Sequence, residues 1–488
     1  MRSDLDALLH PRSIAVVGAS PDPEKMGHRY VRILQEAGFP GSIYPIHPRA
    51  PQILGLKAYP SLLAVPGRID YVISSIPASN ILEVVDQCVR KGVRLIHSYT
   101  ARFSETGRPD AAQLEQEFLR RARQAGIRII GPNCMGLYYP KMGISFKHGL
   151  PKEAGPVGML SQSGGNAVEM VWEASLRGLR FSKVISYGNA ADLNEADFME
   201  YFADDLDTRV ICAYIEGARE GRRFFQALRK ASKSKPVIVL KGGRTLAGHR
   251  AVASHTASLA GERQLWQALV RQAGAIWVDT LEEMIDTAIA CAFCKPSAGV
   301  RVGVVGGGGG RSVASADDCE EAGLRVVPIP DDMRQVWREL DPSLADWLSN
   351  PADGSILLGS PLTVERVLGM MADHPAFDLL IANVGEHFPL EHPDGVPRTR
   401  ATVQAFIQIA QRACKPVAVV LGDTLAHQPW QREIIRELRE TLAAAGVATF
   451  PTVRRAARSL ARLATYYRER DEEESPHDGP QAAHPGRD

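Results

Sequence analysis

No stretch of this 488-residue sequence reaches the roughly 18 consecutive apolar residues that a membrane helix requires. Its start, Met1 to Pro11, is charged and has no apolar signal core, so export is not expected. Charge of one sign is also missing. The net value of +1 gives no basis for bulk nucleic-acid binding or a polybasic membrane contact. Cysteine is scarce, with seven residues that are scattered and odd in number, which excludes a disulfide framework and fits a reducing cytoplasm. Cys291 and Cys294 have CxxC spacing, but their alanine-rich helical surroundings make core packing the better reading.

What is present describes an ordinary globular protein, 45% hydrophobic and 23% charged, long enough for about three domains of ~150 residues. Short β-rich runs alternate with longer amphipathic segments, the pattern of parallel sheets covered by helices on both faces. Strands are expected at 13–17, 42–46, 71–75, 94–98 and 128–130. A second set falls at 155–160, 183–187, 210–215, 237–241 and 275–278, and a third at 301–305, 325–327, 379–383, 416–421 and 447–450. The reading is an α/β chain of three consecutive Rossmann-like or flavodoxin-like domains with parallel sheets, over 1–142, 143–296 and 297–468. Residues 469–488 are acidic and then rich in Pro, Gly and His, and are expected to form a disordered tail.

In the first block, strand 13–17 runs into Gly18-Ala19-Ser20, and Lys25-Met26-Gly27 precede a helix. Backbone N–H groups and a lysine then stand where a pyrophosphate binds at a helix start. The GxGxxG of dinucleotide sites is absent, and the second strand ends in Tyr44-Pro45-Ile46-His47-Pro48-Arg49, without the acid that takes a ribose hydroxyl. A ligand with an extra phosphate, such as coenzyme A, suits this basic end better than NAD; a Rossmann-like scaffold without ligand is the alternative. Gly131-Pro132-Asn133-Cys134-Met135-Gly136 closes the block in a tight turn, where Asn133 can bond a ligand and Cys134 is either near a thioester or simply buried.

The second block carries more chemistry. Its first strand leads into Ser161-Gln162-Ser163-Gly164-Gly165-Asn166 and then an apolar helix. Ser163 can cap that helix, and the glycines open its positive end to an anion. The strand at 210–215 ends in Glu216-Gly217 and the next in Lys241-Gly242-Gly243-Arg244. Beyond lies Ser254-His255-Thr256-Ala257-Ser258-Leu259-Ala260-Gly261, a histidine among small and hydroxylated residues that leave room for a phosphate. Imidazole is nucleophilic near neutral pH, and Glu216 can accept one ring N–H and so orient the other nitrogen.

These residues resemble the α subunit of NDP-forming acyl-CoA synthetases, the ADP-forming acetyl-CoA synthetase type, related more distantly to succinyl-CoA synthetase. The resemblance covers about residues 8–465. It implies that His255 is the phosphohistidine, with Ala257 where glycine is commoner, and that Glu216 supports it. Ser161, Gln162, Ser163, Gly164 and Gly165 would hold the phosphate. Gly18, Ser20, Lys25, Arg49, Pro77, Asn133 and Cys134 would meet coenzyme A, and no metal site is expected on this chain. Asn350-Pro351-Ala352-Asp353 resembles a family motif whose role does not follow from the residues.

Two features depart from the pattern. Arg102 stands where the family usually has glycine, either to pair with a substrate carboxylate or as a surface change. Gly306 to Gly310 read as a loose strand-to-helix turn at an inter-domain contact, or as an anion site. No segment is left for an ATP-grasp region. The resemblance therefore implies a cytoplasmic α chain that interconverts acid, CoA and ATP or GTP with acyl-CoA, ADP or GDP, and phosphate. Nucleotide and Mg2+ would sit on an ATP-grasp β subunit in an α2β2 assembly, with a small carboxylic acid as substrate and neither nucleic acid nor membrane as partner. A catalytically silent CoA-binding regulator and a dehydrogenase are the competing readings.

Overall fold

A computed structural model describes residues 4–245, 247–248, 263–385, 392–422 and 426–474 of the chain. The expected α/β architecture is borne out: three main sheets, mostly parallel, lie within two compact units, Met1–Ala292 and Phe293–Asp488. No helix among the described residues is long and apolar enough to cross a membrane.

The first unit holds two sheets. In the first, the strand order is Ser42–Ile46, Ser13–Val17, Tyr71–Ser74, Leu95–Ser98 and Arg128–Ile130, all parallel. Ser13–Val17 is buried at every position, as a strand with helices on both faces must be, and its Ile and Val side chains suit that pleated, covered site. The order reverses beside this strand, which leaves a crevice at the carboxyl edge where ligands of such sheets bind. Gly18 turns out of the strand at φ +87°, and a Cβ on Gly27 would fall 1.9 Å from the Gly18 carbonyl oxygen. Only glycine lets the helix Met26–Ala37 begin that close to the strand end.

The second sheet runs Ile276–Val278, Val237–Lys241, Val210–Ile215, Ala154–Ser161 and Phe181–Ser186 in parallel, with Gly136–Tyr138 antiparallel at its edge. That edge strand was not expected. It lies inside the first 142 residues yet belongs to the second sheet, so the chain crosses between the sheets at Gly131–Met135. The two carboxyl edges interlock there. Asn189 N–H donates to the Pro132 carbonyl at 3.0 Å, Ala191 N–H to the Gly131 carbonyl at 3.0 Å, and Met135 N–H to Ser186 Oγ at 3.1 Å.

The second unit is one parallel sheet, ordered Arg325–Val326, Arg301–Gly306, Leu379–Gly385, Val417–Leu421 and Ala448–Phe450. Trp337, Leu362, Leu368 and Phe406 are buried in its core, each contributing about 1.5–3 kcal/mol by leaving water. Asn350 gains a role the sequence did not reveal. Its Nδ2 donates to the Val302 and Val327 carbonyls, both at 2.8 Å, and its Oδ1 accepts Val304 N–H at 2.9 Å. Ala352 then bonds with Val304 and Gly306, so the segment extends the sheet past the two-residue edge strand. The last helix, Val453–Glu474, continues through 469–474, where the sequence reading had begun the tail.

Candidate functional site

Loops at the carboxyl edge of the first sheet carry Gly18, Ser20, Lys25, Arg49, Pro77, Asn133 and Cys134. Lys25 is the residue before helix Met26–Ala37; its side chain is exposed and makes no cap, so the positive helix start stands beside a cation. Ser20 is tied down: its carbonyl lies 2.8 Å from Nδ1 of buried His28, whose Nε2 lies 2.9 Å from the Arg32 guanidinium. Past the second strand, His47 Nδ1 accepts the N–H groups of Arg49 and Ala50, and the Arg49 side chain is exposed. Pro77 is an exposed turn residue before the short helix Ala78–Asn80.

Asn133 and Cys134 part company. Asn133 is half-buried at φ +58°, its N–H bonded to the Thr100 carbonyl at 2.9 Å. Thr100 in turn donates to the Ile76 carbonyl at 2.6 Å, so the turns after three strands are linked. Cys134 faces inward. Its thiol is buried against the Ser98 carbonyl at 3.7 Å, and burial pushes it well above the ordinary thiol range. The neighbouring His97 is held neutral by burial, its ring lowered to about 4.

At the second sheet, Ser163 caps helix Gly164–Leu176 by accepting Asn166 N–H at 3.2 Å, and Ser161 Oγ donates to the Ser163 carbonyl at 2.7 Å. Both hydroxyls therefore shape the loop, and the glycine turn opens the helix at Gly164 and Gly165. Gln162 is buried and turned away from the loop surface. Its side-chain oxygen accepts the N–H of Glu216, and of Gly217 at 3.0 Å. Gln162 and Glu216, far apart in sequence, are thus joined directly by a hydrogen bond.

Glu216 is also held from the other side. Tyr214 donates its hydroxyl to Glu216 Oε1 at 3.3 Å, and Lys241 Nζ donates to the Glu216 carbonyl at 2.8 Å and to the Gly242 carbonyl. Lys241 is buried, over the Trp266 ring at 5.3 Å, and burial lowers its ammonium to about 8 despite the nearby carboxylate. In the sequence Lys241 marks only a strand end; its carbonyl partners emerge only in three dimensions. His255 and the whole run from Ser254 to Gly261 lie outside the described residues.

The seam between the sheets adds Glu105, which accepts the N–H groups of Arg102 and Phe103 and the Asn189 amide at 2.7 Å. In the second unit, the glycine turn is more than a loose connection. It lines a cavity of about 540 Å³ with Arg311, Arg398 and buried Asn383, whose Oδ1 has no hydrogen-bond partner among the described residues. The cavity lies at the carboxyl edge between Arg301–Gly306 and Leu379–Gly385, where the strand order of that sheet reverses. Among the described residues no cluster of His, Cys, Asp and Glu is arranged to hold a metal ion.

Known proteins share this arrangement. A CoA binding domain matches residues 12–140, and a succinyl-CoA ligase like flavodoxin domain matches residues 154–291. The α subunit of the ADP-forming acetate–CoA ligase II of Pyrococcus furiosus is 36% identical over 400 residues, covering 81% of this chain and 86% of the relative. The ADP-forming acetate–CoA ligase of Methanocaldococcus jannaschii is 36% identical over 352 residues, covering 72% of this chain and 49% of that longer protein. A solved structure of the Ca. Korarchaeum cryptofilum acetyl-coenzyme A synthetase 1, in complex with phosphate and ADP, superposes with a TM-score of 0.81 at 32% identity, over 96% of this chain and 98% of that one. This chain belongs to the α subunits of the NDP-forming acyl-CoA synthetases, in the succinyl-CoA synthetase superfamily, and is an acid–CoA ligase chain with a CoA-binding domain.

Proposed function

We propose that this chain carries the acyl and phosphoryl-relay half of the ligase reaction, acid + CoA + ATP or GTP ⇌ acyl-CoA + ADP or GDP + phosphate. The observation that carries the reading is the Gln162 bridge, which fixes the Glu216 backbone beside the glycine-rich start of helix Gly164–Leu176. A carboxylate and an anion-binding helix end are thereby held together, as a phosphorylated imidazole requires. Taken in the direction of nucleotide synthesis, inorganic phosphate attacks the thioester carbonyl; the C–S bond breaks, CoA leaves as thiolate and acyl phosphate forms. The His255 ring nitrogen then displaces the carboxylate from phosphorus. Glu216 holds the other ring N–H and offsets the positive charge of the phosphoimidazole, while the N–H groups of Gly164 and Gly165 face the phosphoryl oxygens.

The residues at the first sheet fit coenzyme A. The close approach of Gly18 and Gly27 leaves the crevice floor free of side chains, and Lys25 and Arg49 are exposed cations for its phosphates. Asn133 stands at the turn nearest the thiol in this reading, whereas Cys134 supports that turn from within. In the second unit, the glycine-lined cavity with Arg311 and Arg398 offers a further place for an anion. Nucleotide and Mg2+ belong to an ATP-grasp β subunit in an α2β2 assembly of the cytoplasm; the M. jannaschii relative, twice this chain's matched length, supports a second functional part.

The test is phosphoryl transfer from [γ-32P]ATP in the presence of the partner subunit. An acid-labile, alkali-stable label that disappears in His255→Ala is expected. Equal labelling of His255→Ala would overturn the relay. CoA binding with no labelling under any condition would favour a silent CoA-binding regulator.

A further inference from the structure

Four non-glycine residues among those described have a left-handed backbone: Leu54, Arg102, Asn133 and Ala190. Three of them meet at the seam of the two sheets in the first unit. Asn133 N–H bonds to Thr100, two residues before Arg102; Asn133 Nδ2 faces Asn189 Oδ1 at 3.4 Å, next to Ala190. Backbone in this region is unfavourable for residues with a Cβ, and it persists where surrounding contacts over-determine it. Arg102 has the largest φ of the three, +76°, without the local side-chain hydrogen bonding that lets asparagine enter this region readily.

The contacts that impose it are specific. Glu105 takes the backbone N–H of Arg102 with one oxygen and that of Phe103 with the other, at 3.0 Å. The second oxygen also accepts the Asn189 amide at 2.7 Å, and Phe103 is buried below. A glycine would occupy the same turn without strain. Meanwhile the Arg102 side chain is exposed, and among the described residues its guanidinium has no hydrogen-bond or ion-pair partner. This contrasts with Arg123 and Arg128 nearby, both paired with Asp192. A fork of five donors, carried on a backbone that Glu105 pins at the carboxyl edge, suits an oxyanion.

We infer that Arg102 is a specificity-determining residue that reads a second anionic group on a bound reactant, selecting acids that carry a carboxylate besides the one activated. The inference rests on the proposed ligase reading and deepens it, since it names the substrate class. The same guanidinium chemistry serves a phosphate of coenzyme A, and the two sources separate by experiment.

The experiment uses the enzyme reconstituted with its nucleotide-binding partner, as wild type, Arg102→Gly and Arg102→Lys. Dicarboxylic acids are compared with monocarboxylic acids of the same chain length, and coenzyme A with 3′-dephospho-coenzyme A. Arg102→Gly is expected to lower kcat/KM for the dicarboxylic acid 10- to 100-fold relative to its monocarboxylic counterpart, the range for one lost charge-assisted bond. Arg102→Lys should recover part of that ratio. The glycine variant should also melt no lower than wild type, since its backbone suits the turn. If instead the acid ratio holds and discrimination between the two coenzymes collapses, the anion read is the CoA phosphate and the acid-selection inference falls. Unchanged ratios for both pairs overturn the inference altogether. A wild-type enzyme that activates no acid while binding CoA would count against the ligase reading itself, independently of Arg102.

Discussion

Gln162 and Glu216 are joined by a hydrogen bond from backbone to side chain across neighbouring parallel strands, and the same Gln162 oxygen serves Gly217 at 3.0 Å. A loop that reads as phosphate-binding thus spends its one long polar side chain on aligning a carboxylate. Gln162→Leu keeps the volume and removes the acceptor, leaving two buried N–H groups unpaired at roughly 1–3 kcal/mol each. Chemical denaturation should show that loss. If Glu216 supports the histidine as proposed, phosphohistidine formation should fall at least about 10-fold. Gln162→Glu retains an acceptor and should keep more of the stability than Gln162→Leu; equal losses would show that the bridge is not what aligns the strand end.

Lys241 gives a pH signature. Burial lowers its ammonium to about 8, against an ordinary value of about 10.4 in the unfolded chain. Between those values the unfolded state binds more protons than the folded state, so this residue makes stability rise as pH climbs from about 8 to about 10.4. Below about 8 the penalty for a buried ammonium is fully present. The thermal midpoint of wild type minus that of Lys241→Met should therefore increase across this window. A difference that stays flat would mean Lys241 titrates as an exposed lysine.

Asn350 supports the second unit through three bonds to the backbone of Val302, Val304 and Val327. Asn350→Ala should destabilise that unit by about 2–4 kcal/mol, two to three lost bonds with partly buried partners. Hydrogen exchange should quicken in peptides spanning 301–306 and leave those spanning 210–215 at the wild-type rate. Asn350→Asp should be worse, because a carboxylate would face the Val302 and Val327 carbonyls.

How much of this was legible in the sequence follows from the physics of each signal. Continuous β-branched runs such as Ser13–Val17 and Val237–Lys241 identify themselves, because a strand covered on both faces needs no alternation. Gly136–Tyr138 does not, because three residues containing a glycine gain their strand character only by pairing with Val184, Ile185 and Ser186. Ser163 was readable as a cap from its place before two glycines. Gln162 was not, since a glutamine in a small polar loop gives no hint of whether its amide faces ligand or core. The direction of Cys134 was equally hidden, and only the Ser98 carbonyl decided it. Arg102 was visible as a misfit residue, whereas the left-handed backbone that makes it informative was not.

The crossing strand Gly136–Tyr138 has a practical corollary for anyone dividing the protein. A fragment ending near residue 142 would take with it a strand whose hydrogen-bonding partners remain in the other piece. Each piece would then expose a raw sheet edge, one lacking its outer strand and the other carrying an unpaired one, and both would be prone to self-association. Mixed together, the same edges are complementary. Cutting between 142 and 153 should therefore yield halves that are sticky alone and soluble as a pair.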